Sequence, residues 1–201
     1  VKGDGNHNDT SATETATITI NKATVTIPTS PVKQYTYNGQ AQAHGYSLPT
    51  GTAIENNGTT PSAIDAGTYN IVLKLTSTSN YQWSDKTITN KTIKWKINPK
   101  SVAVTWGTTT TFTYNGQPQA PTVSATSGVT GETINVTRTT GTNAGSYTST
   151  ASISSVTGGR ARKENYTLTG NTKAFTINKA TITNTNAPIN PPQLIPCRVP
   201  Q

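Results

Sequence analysis

Asp65-Ala-Gly-Thr-Tyr-Asn-Ile-Val-Leu-Lys-Leu75 decides the fold, and it returns as Asn143-Ala-Gly-Ser-Tyr-Thr-Ser-Thr-Ala-Ser-Ile153. Each copy reads as a tight turn feeding a strand. The leading Asp or Asn is expected to bond its own backbone, and the glycine to supply a positive φ angle. Beyond the turn, Tyr69, Ile71, Leu73 and Leu75 fall at every second position, which puts them on one face of a strand. Tyr147, Ser149, Ala151 and Ile153 stand in register with them.

The copies align outward in both directions. Ala23, Val25 and Ile27 match Val102, Val104 and Trp106 as an opening strand with one apolar face. Tyr35-Thr-Tyr-Asn-Gly-Gln-Ala-Gln42 matches Phe112-Thr-Tyr-Asn-Gly-Gln-Pro-Gln119. Its Asn-Gly pair predicts a turn with positive φ at both central residues. Asn80-Tyr81 matches Asn165-Tyr166, and a closing strand carries Ile93, Trp95 and Ile97 against Phe175 and Ile177. No window places apolar residues at helical spacing, so the expected fold is all-β: tandem short β-sandwich repeats of immunoglobulin-like type, end to end. A β-grasp-like arrangement is the alternative, but it requires a helix.

The expected organisation has four parts. Residues 1–21 read as the closing strand of a truncated preceding repeat, with Thr13 to Ile20 alternating into it. Residues 22–98 and 99–178 are two whole repeats. Residues 179–201 open a further repeat and run into a Pro-rich tail, read as an extended linker because proline removes ladder donors and fixes φ. The copies differ most between the long strand and the Asn-Tyr pair. There Thr76-Ser-Thr-Ser79 is replaced by Ser154-Ser-Val-Thr-Gly-Gly-Arg-Ala-Arg-Lys-Glu164, which is longer and basic and predicts a surface loop.

Leu, Ile, Val and Phe make up about 16% of the chain, under the rough 20% mark associated with disorder. Charged residues are only 12%, however, and the apolar residues alternate. Folded domains with thin cores are therefore expected, with Thr, Ser and Asn outward on the strands. The net charge of +8 invites a polyanion partner. Most lysines are scattered singly, like Lys94 and Lys96, where they blunt sheet edges. Only Arg160-Ala-Arg162-Lys163 is a cluster, and no basic stripe with interleaved aromatics supports nucleic-acid binding. The single cysteine, Cys197, excludes a disulfide within the chain. With no methionine and a start at Val1, the chain reads as a piece of a longer protein. It carries neither a signal peptide nor an apolar run of membrane length, so no membrane insertion is expected of it.

Taken together, the Tyr-Asn-Gly-x-x-Gln turn, the Asp/Asn-Ala-Gly-Thr/Ser-Tyr turn and the Asn-Tyr pair followed by a Trp-x-Ile or Phe-x-Ile strand resemble the MBG-type and related bacterial immunoglobulin-like repeats of large surface proteins. The likeness spans Thr13 to Lys179. It implies a module strung in tandem on secreted or cell-wall-attached adhesins at the bacterial cell surface. In that setting many copies serve as a stalk for a distal binding domain, and some bind host glycoprotein or glycan. It supplies no catalytic residues, and the second repeat departs from the first by having Phe175 in place of a tryptophan.

Chemistry is sparse. His7 and His44 have no repeated partner, and Asp65 aligns with Asn143, which cannot act as an acid or base. Neither an enzyme nor a cofactor is expected. Asp4-Gly-Asn6-His-Asn8-Asp9 has the oxygen-rich alternation of a calcium loop, but Thr15 stands where a bidentate acid would close it, so no metal is expected. For direct binding of host glycans, mucin or extracellular matrix, the candidates are the aromatics Tyr46, Tyr81 and Trp83 and the basic residues Arg160, Arg162 and Lys163. Trp95 and Trp106 are in register with core positions. A monomer is expected.

Overall fold

A computed structural model describes residues 4–6 and 15–183. Among the described residues the regular structure is strand, apart from one turn of 3-10 helix over Lys163–Asn165. The protein is all-β and sandwich-like, and the helix that a β-grasp would need is absent from these residues. Two compact units divide it. The first holds the described residues up to Lys100 together with Glu164–Thr167, and the second holds Ser101–Lys163 with the described residues from Leu168 onward.

The first unit contains β1 (Ala23–Val25), β2 (Gln34–Thr36), β3 (Gln42–Ala43), β4 (Thr52–Glu55), β5 (Ser62–Ala63), β6 (Gly67–Leu75), β7 (Tyr81–Trp83) and β8 (Lys91–Asn98). Its main sheet has the order β2-β8-β6-β4. Antiparallel pairing of β6 with β8 sets Tyr69 opposite Trp95 and Ile71 opposite Ile93, while β2 runs parallel to β8. The alternation does what its period requires. Ile71, Leu73, Leu75, Ile93, Trp95 and Ile97 are buried on one face, and Thr68, Lys74, Thr92 and Lys94 between them are exposed. Each such apolar side chain contributes about 1.5–3 kcal/mol by leaving water. The parallel pair β1–β7 adds buried Val25 and Trp83.

The second unit repeats the plan with most of β9 (Lys100–Trp106), then β10 (Thr111–Thr113), β11 (Val123–Ala125), β12 (Thr133–Arg138), β13 (Gly145–Thr157), part of β14 (Tyr166–Thr169), and β15 (Thr172–Asn178). Its main sheet is ordered β10-β15-β13-β12, again with a parallel outer pair and antiparallel inner ones. Beside it lies a three-stranded sheet, β11-β9-β14. Phe175 and Ile177 are buried with Ala120, and Phe112 and Tyr147 pack against them. Where the first repeat has Ile71, the second buries Ser149, whose hydroxyl donates to the Thr139 carbonyl at 2.7 Å. A buried hydroxyl with a partner is tolerable in a core.

Several local expectations are corrected. The Asn-Gly turns have positive φ only at glycine, 80° at Gly39 and 77° at Gly116. Instead the asparagine side chain makes the turn. Asn38 Oδ1 accepts from the Gln40 N–H at 3.0 Å, and Asn115 Oδ1 from the Gln117 N–H at 2.9 Å. The final glutamine of each motif, Gln42 or Gln119, donates to the Thr36 or Thr113 carbonyl at 3.1 Å. These turns do not close hairpins, because β2 pairs with β8 whereas β3 pairs with β5.

Gly67 does not take a positive φ. It is there for space, since a Cβ would sit 3.0 Å from the Tyr69 hydroxyl oxygen. The first part of the expected loop from Ser154 is strand, because β13 continues to Thr157 opposite β12, with a register shift between Asn135 and Val136. Residues 15–22 form no strand, and Ile18 and Ile20 are 85% and 92% exposed. No strand among the described residues pairs with them, and an unpaired strand leaves its backbone groups to water. Residues 179–183 likewise form none. The tail beyond them, with Cys197, lies outside the described residues.

Candidate functional site

Strand β7 carries Tyr81 and Trp83 two positions apart, so both side chains leave the same face. Trp83 is fully buried, and its indole N–H donates to the Thr89 carbonyl at 2.8 Å. No ring face remains for stacking, which corrects its candidacy as a glycan platform. It belongs to the core. Tyr81 is half-buried and lies over Gly51, where a Cβ would come within 2.6 Å of the ring. The rest of the ring borders a shallow, largely apolar groove with Ala23, Val25, Pro49 and Thr50.

Tyr46 does not line that groove. It is half-buried in the loop after β3, where its backbone N–H donates to His44 Nδ1 at 3.1 Å. That bond makes Nδ1 the acceptor, so a neutral His44 carries its proton on Nε2. His44 shapes its own loop. Partial burial pushes the Tyr46 hydroxyl above its usual pKa. The aromatic candidates therefore do not form one exposed platform.

The basic candidates do stay in solvent. Arg160, Arg162 and Lys163 are all exposed, on a loop fixed from below. Glu132 is only 8% exposed, and its Oε1 accepts the Arg160 backbone N–H at 3.0 Å. Gly158 turns the chain at φ 73°, and a Cβ there would collide with the Gly131 carbonyl oxygen. A further turn is closed by the Ala161 N–H on the Gly158 carbonyl at 3.0 Å. The loop thus presents three exposed cations, with the carboxylates of Glu164 beside them and Glu132 beneath, which suits weak attraction to polyanions that salt screens.

Sequence reasoning missed two side chains with organising roles. Glu132 is one, as a carboxylate held under the basic loop. The other is Asn165, which is fully buried within the first unit. Its Oδ1 accepts from the Ala66 N–H at 2.7 Å, and its Nδ2 donates to Asp65 Oδ1 at 3.0 Å. Tyr166 beside it sets its ring edge-on to Tyr37, with centroids 5.4 Å apart. The recurrence of Asn-Tyr was visible in the sequence. That the pair would pack on the Ala-Gly turn was not.

Other polar groups offer little chemistry. Asp85 accepts from Lys91 at 2.6 Å and from the Thr87 hydroxyl at 2.7 Å, and these bonds hold its carboxyl down at about 2. The Lys74 ammonium on Glu55 lowers that carboxyl in the same way. Carboxylates held ionised are poor proton donors. Among the described residues no three His, Cys, Asp or Glu side chains gather as metal ligands. Of the calcium-like stretch only residues 4–6 are described, where the Asn6 N–H bonds Asp4 Oδ1 at 3.0 Å. His7 and Asp9 lie outside. No helix among the described residues is long and apolar enough to cross a membrane. No protein-family model matches the chain, and no curated protein matches it.

Proposed function

We propose that this chain is a stalk segment of a secreted or cell-wall-attached bacterial surface adhesin, a spacer that holds a distal binding domain away from the cell. The support comes from strand direction inside each repeat. In the first, the early strand β2 runs parallel to the closing strand β8. That ladder is lengthened by the Val32 N–H on the Lys94 carbonyl at 2.8 Å and the Tyr37 N–H on the Asn98 carbonyl at 2.9 Å. In the second, β10 runs parallel to β15, with the Thr176 N–H on the Thr110 carbonyl at 2.9 Å and the Tyr114 N–H on the Asn178 carbonyl at 2.8 Å.

Tension applied at the two ends of a repeat pulls such strands in opposite directions along their common axis. All the ladder bonds then bear load together instead of opening one by one. A spacer under shear benefits from that arrangement, since forced unfolding is governed by the unfolding barrier. The test is single-molecule pulling of the full chain from its ends. Two separate high-force unfolding events are expected, both weakened when attachment points are moved so that the parallel ladder is peeled. A smooth low-force extension would sink the proposal.

A second function, direct capture of acidic mucin, host glycan or matrix, is favoured by the exposure of Arg160, Arg162 and Lys163. Tyr46 and Tyr81 would serve it only as separate contacts. Binding of the full chain to mucins and sulfated glycans at low and physiological salt tests it. Signal lost both with salt and in the Arg160→Ala/Arg162→Ala variant supports capture; signal indifferent to both argues against it.

A further inference from the structure

The first unit contains a filled socket. Asp65, Ala66 and Tyr37 receive Asn165 and Tyr166 through the two amide hydrogen bonds and the edge-on ring contact described above. All five residues are shielded: Tyr37 is 1% exposed, Asn165 0% and Tyr166 4%, and Asp65 and Ala66 are half-buried.

Each element of that socket has a counterpart in the second repeat, and there it is open. Tyr114 matches Tyr37 and is 43% exposed. Asn143 and Ala144, which match Asp65 and Ala66, are both exposed. Tyr114 and Ala144 border a cavity of about 340 Å³ with Lys179, Ala180 and Ile182, and its wall is almost entirely apolar. The matching plug is accessible in part. Asn80 is exposed and Tyr81 half-buried, at the start of β7, as Asn165 and Tyr166 stand at the start of β14. Ile20 and Ala23 flank this pair in a recess that Asn21 and Ser79 also line.

We propose that Tyr114, Asn143 and Ala144 form a socket for an Asn-Tyr pair, and that a second copy of this chain fills it with Asn80 and Tyr81. The chemistry is copied from the filled site. The Asn143 amide oxygen replaces the Asp65 carboxylate as acceptor for the incoming Asn80 amide. The Ala144 N–H replaces that of Ala66 as donor, and the Tyr114 ring receives the incoming tyrosine edge. Socket and plug are different surfaces, so the contact is heterologous and adds copies head to tail. Asn143 is neutral where Asp65 is charged, and hydrogen bonds to charged groups are the stronger ones. Self-association is accordingly weak, and Asn143→Asp strengthens it.

Sedimentation velocity of the full chain over a concentration series tests this, with circular dichroism confirming the fold of each variant. Expected are species that grow with concentration, association about tenfold weaker in Tyr114→Ala and in Asn80→Ala, and several-fold tighter in Asn143→Asp. A mixture of the two alanine variants should form dimers and nothing larger, since one retains a socket and the other a plug. A chain that stays monomeric at the highest concentrations, also as Asn143→Asp, overturns the proposal. So does association that Tyr114→Ala abolishes and Asn80→Ala leaves unchanged, which would give the socket to another segment such as residues 184–201.

Discussion

The Tyr69 hydroxyl donates to the main-chain carbonyl of Asp65 at 2.6 Å, folding the ring back over the turn that precedes its own strand. Tyr147 does the same to Asn143 at 2.8 Å. The rings then lie on the closing strand, Tyr69 at 4.9 Å from Trp95 and Tyr147 stacked at 5.3 Å on Phe175, measured between centroids. One side chain thus ties turn, long strand and closing strand together. Phenylalanine keeps the packing and removes only the bond. Tyr69→Phe and Tyr147→Phe should each cost about 1 kcal/mol in urea denaturation. No change in either would mean that the ring alone closes the turn.

Asp65 and Asn143 should separate under the same measurement. Asp65→Ala takes the acceptor from the buried Asn165 amide, and an unsatisfied buried donor costs about 1–3 kcal/mol. Asn143 is exposed, so Asn143→Ala should fall within about 0.5 kcal/mol of the parent. Equal losses would show that both residues act only through the turn.

The strands were legible because their period is unambiguous. Tyr69 to Leu75 and Ile93 to Ile97 carry apolar residues at every second position, with Val72 the one apolar residue between them, and an exterior rich in Thr and Lys leaves one arrangement that buries the apolar set. Sheet order was not legible. Nothing local in Gln34–Thr36 tells it to run parallel to Lys91–Asn98 rather than to pair across the Asn-Gly turn. Glycine roles misled for a related reason: Gly67 has no positive φ, and what crowds it is a ring two residues on. At the candidate site, the basic loop was legible as a charge cluster. The burial of Trp83 followed from its alternation with Tyr81 only once β7 was known to pair with β1. Glu132, 28 residues before the loop it holds, left no local signal.

Trp83 now makes a stability prediction. Trp83 and Trp95 are both 0% exposed and each donates its indole N–H to a carbonyl, whereas Trp106 is only half-buried. Trp83→Ala should cost about 3–5 kcal/mol and lower any binding in proportion to unfolding. In the parent protein, acrylamide should quench Trp106 and spare the other two. Efficient quenching of the lone tryptophan in a Trp95→Phe/Trp106→Phe variant would place Trp83 at the surface and revive it as a platform.

Acid should weaken the first unit through Asp85. Its carboxyl is held down at about 2, first by the Lys91 ammonium and then by the Thr87 hydroxyl, from an ordinary value of 3.8. A depressed folded-state pKa means that the unfolded chain takes up the proton first. The stabilisation is therefore complete above about pH 4 and is lost as pH falls toward 2. Asp85→Asn should flatten that part of the stability curve and lower the neutral plateau by the same small amount, because the carboxylate is solvent-exposed and its ion pair is worth little. An identical acid limb in the variant would assign the loss to other carboxylates.

The loop that presents Arg160, Arg162 and Lys163 depends on two contacts, and they can be broken separately. Gly158→Ala meets both a left-handed φ and the Gly131 carbonyl oxygen, so the backbone must shift, at about 2–4 kcal/mol. Gly170 has φ 63° but nothing within 4 Å of an added Cβ. Gly170→Ala should therefore cost only the conformational strain, about 1–2 kcal/mol. Glu132→Ala removes the acceptor of the Arg160 N–H without touching φ. Hydrogen exchange at the Arg160 amide should quicken in Glu132→Ala and in Gly158→Ala and stay at the parent rate in Gly170→Ala. If it quickened equally in all three, general destabilisation would explain it, and Glu132 would lose its role as the support of the basic loop.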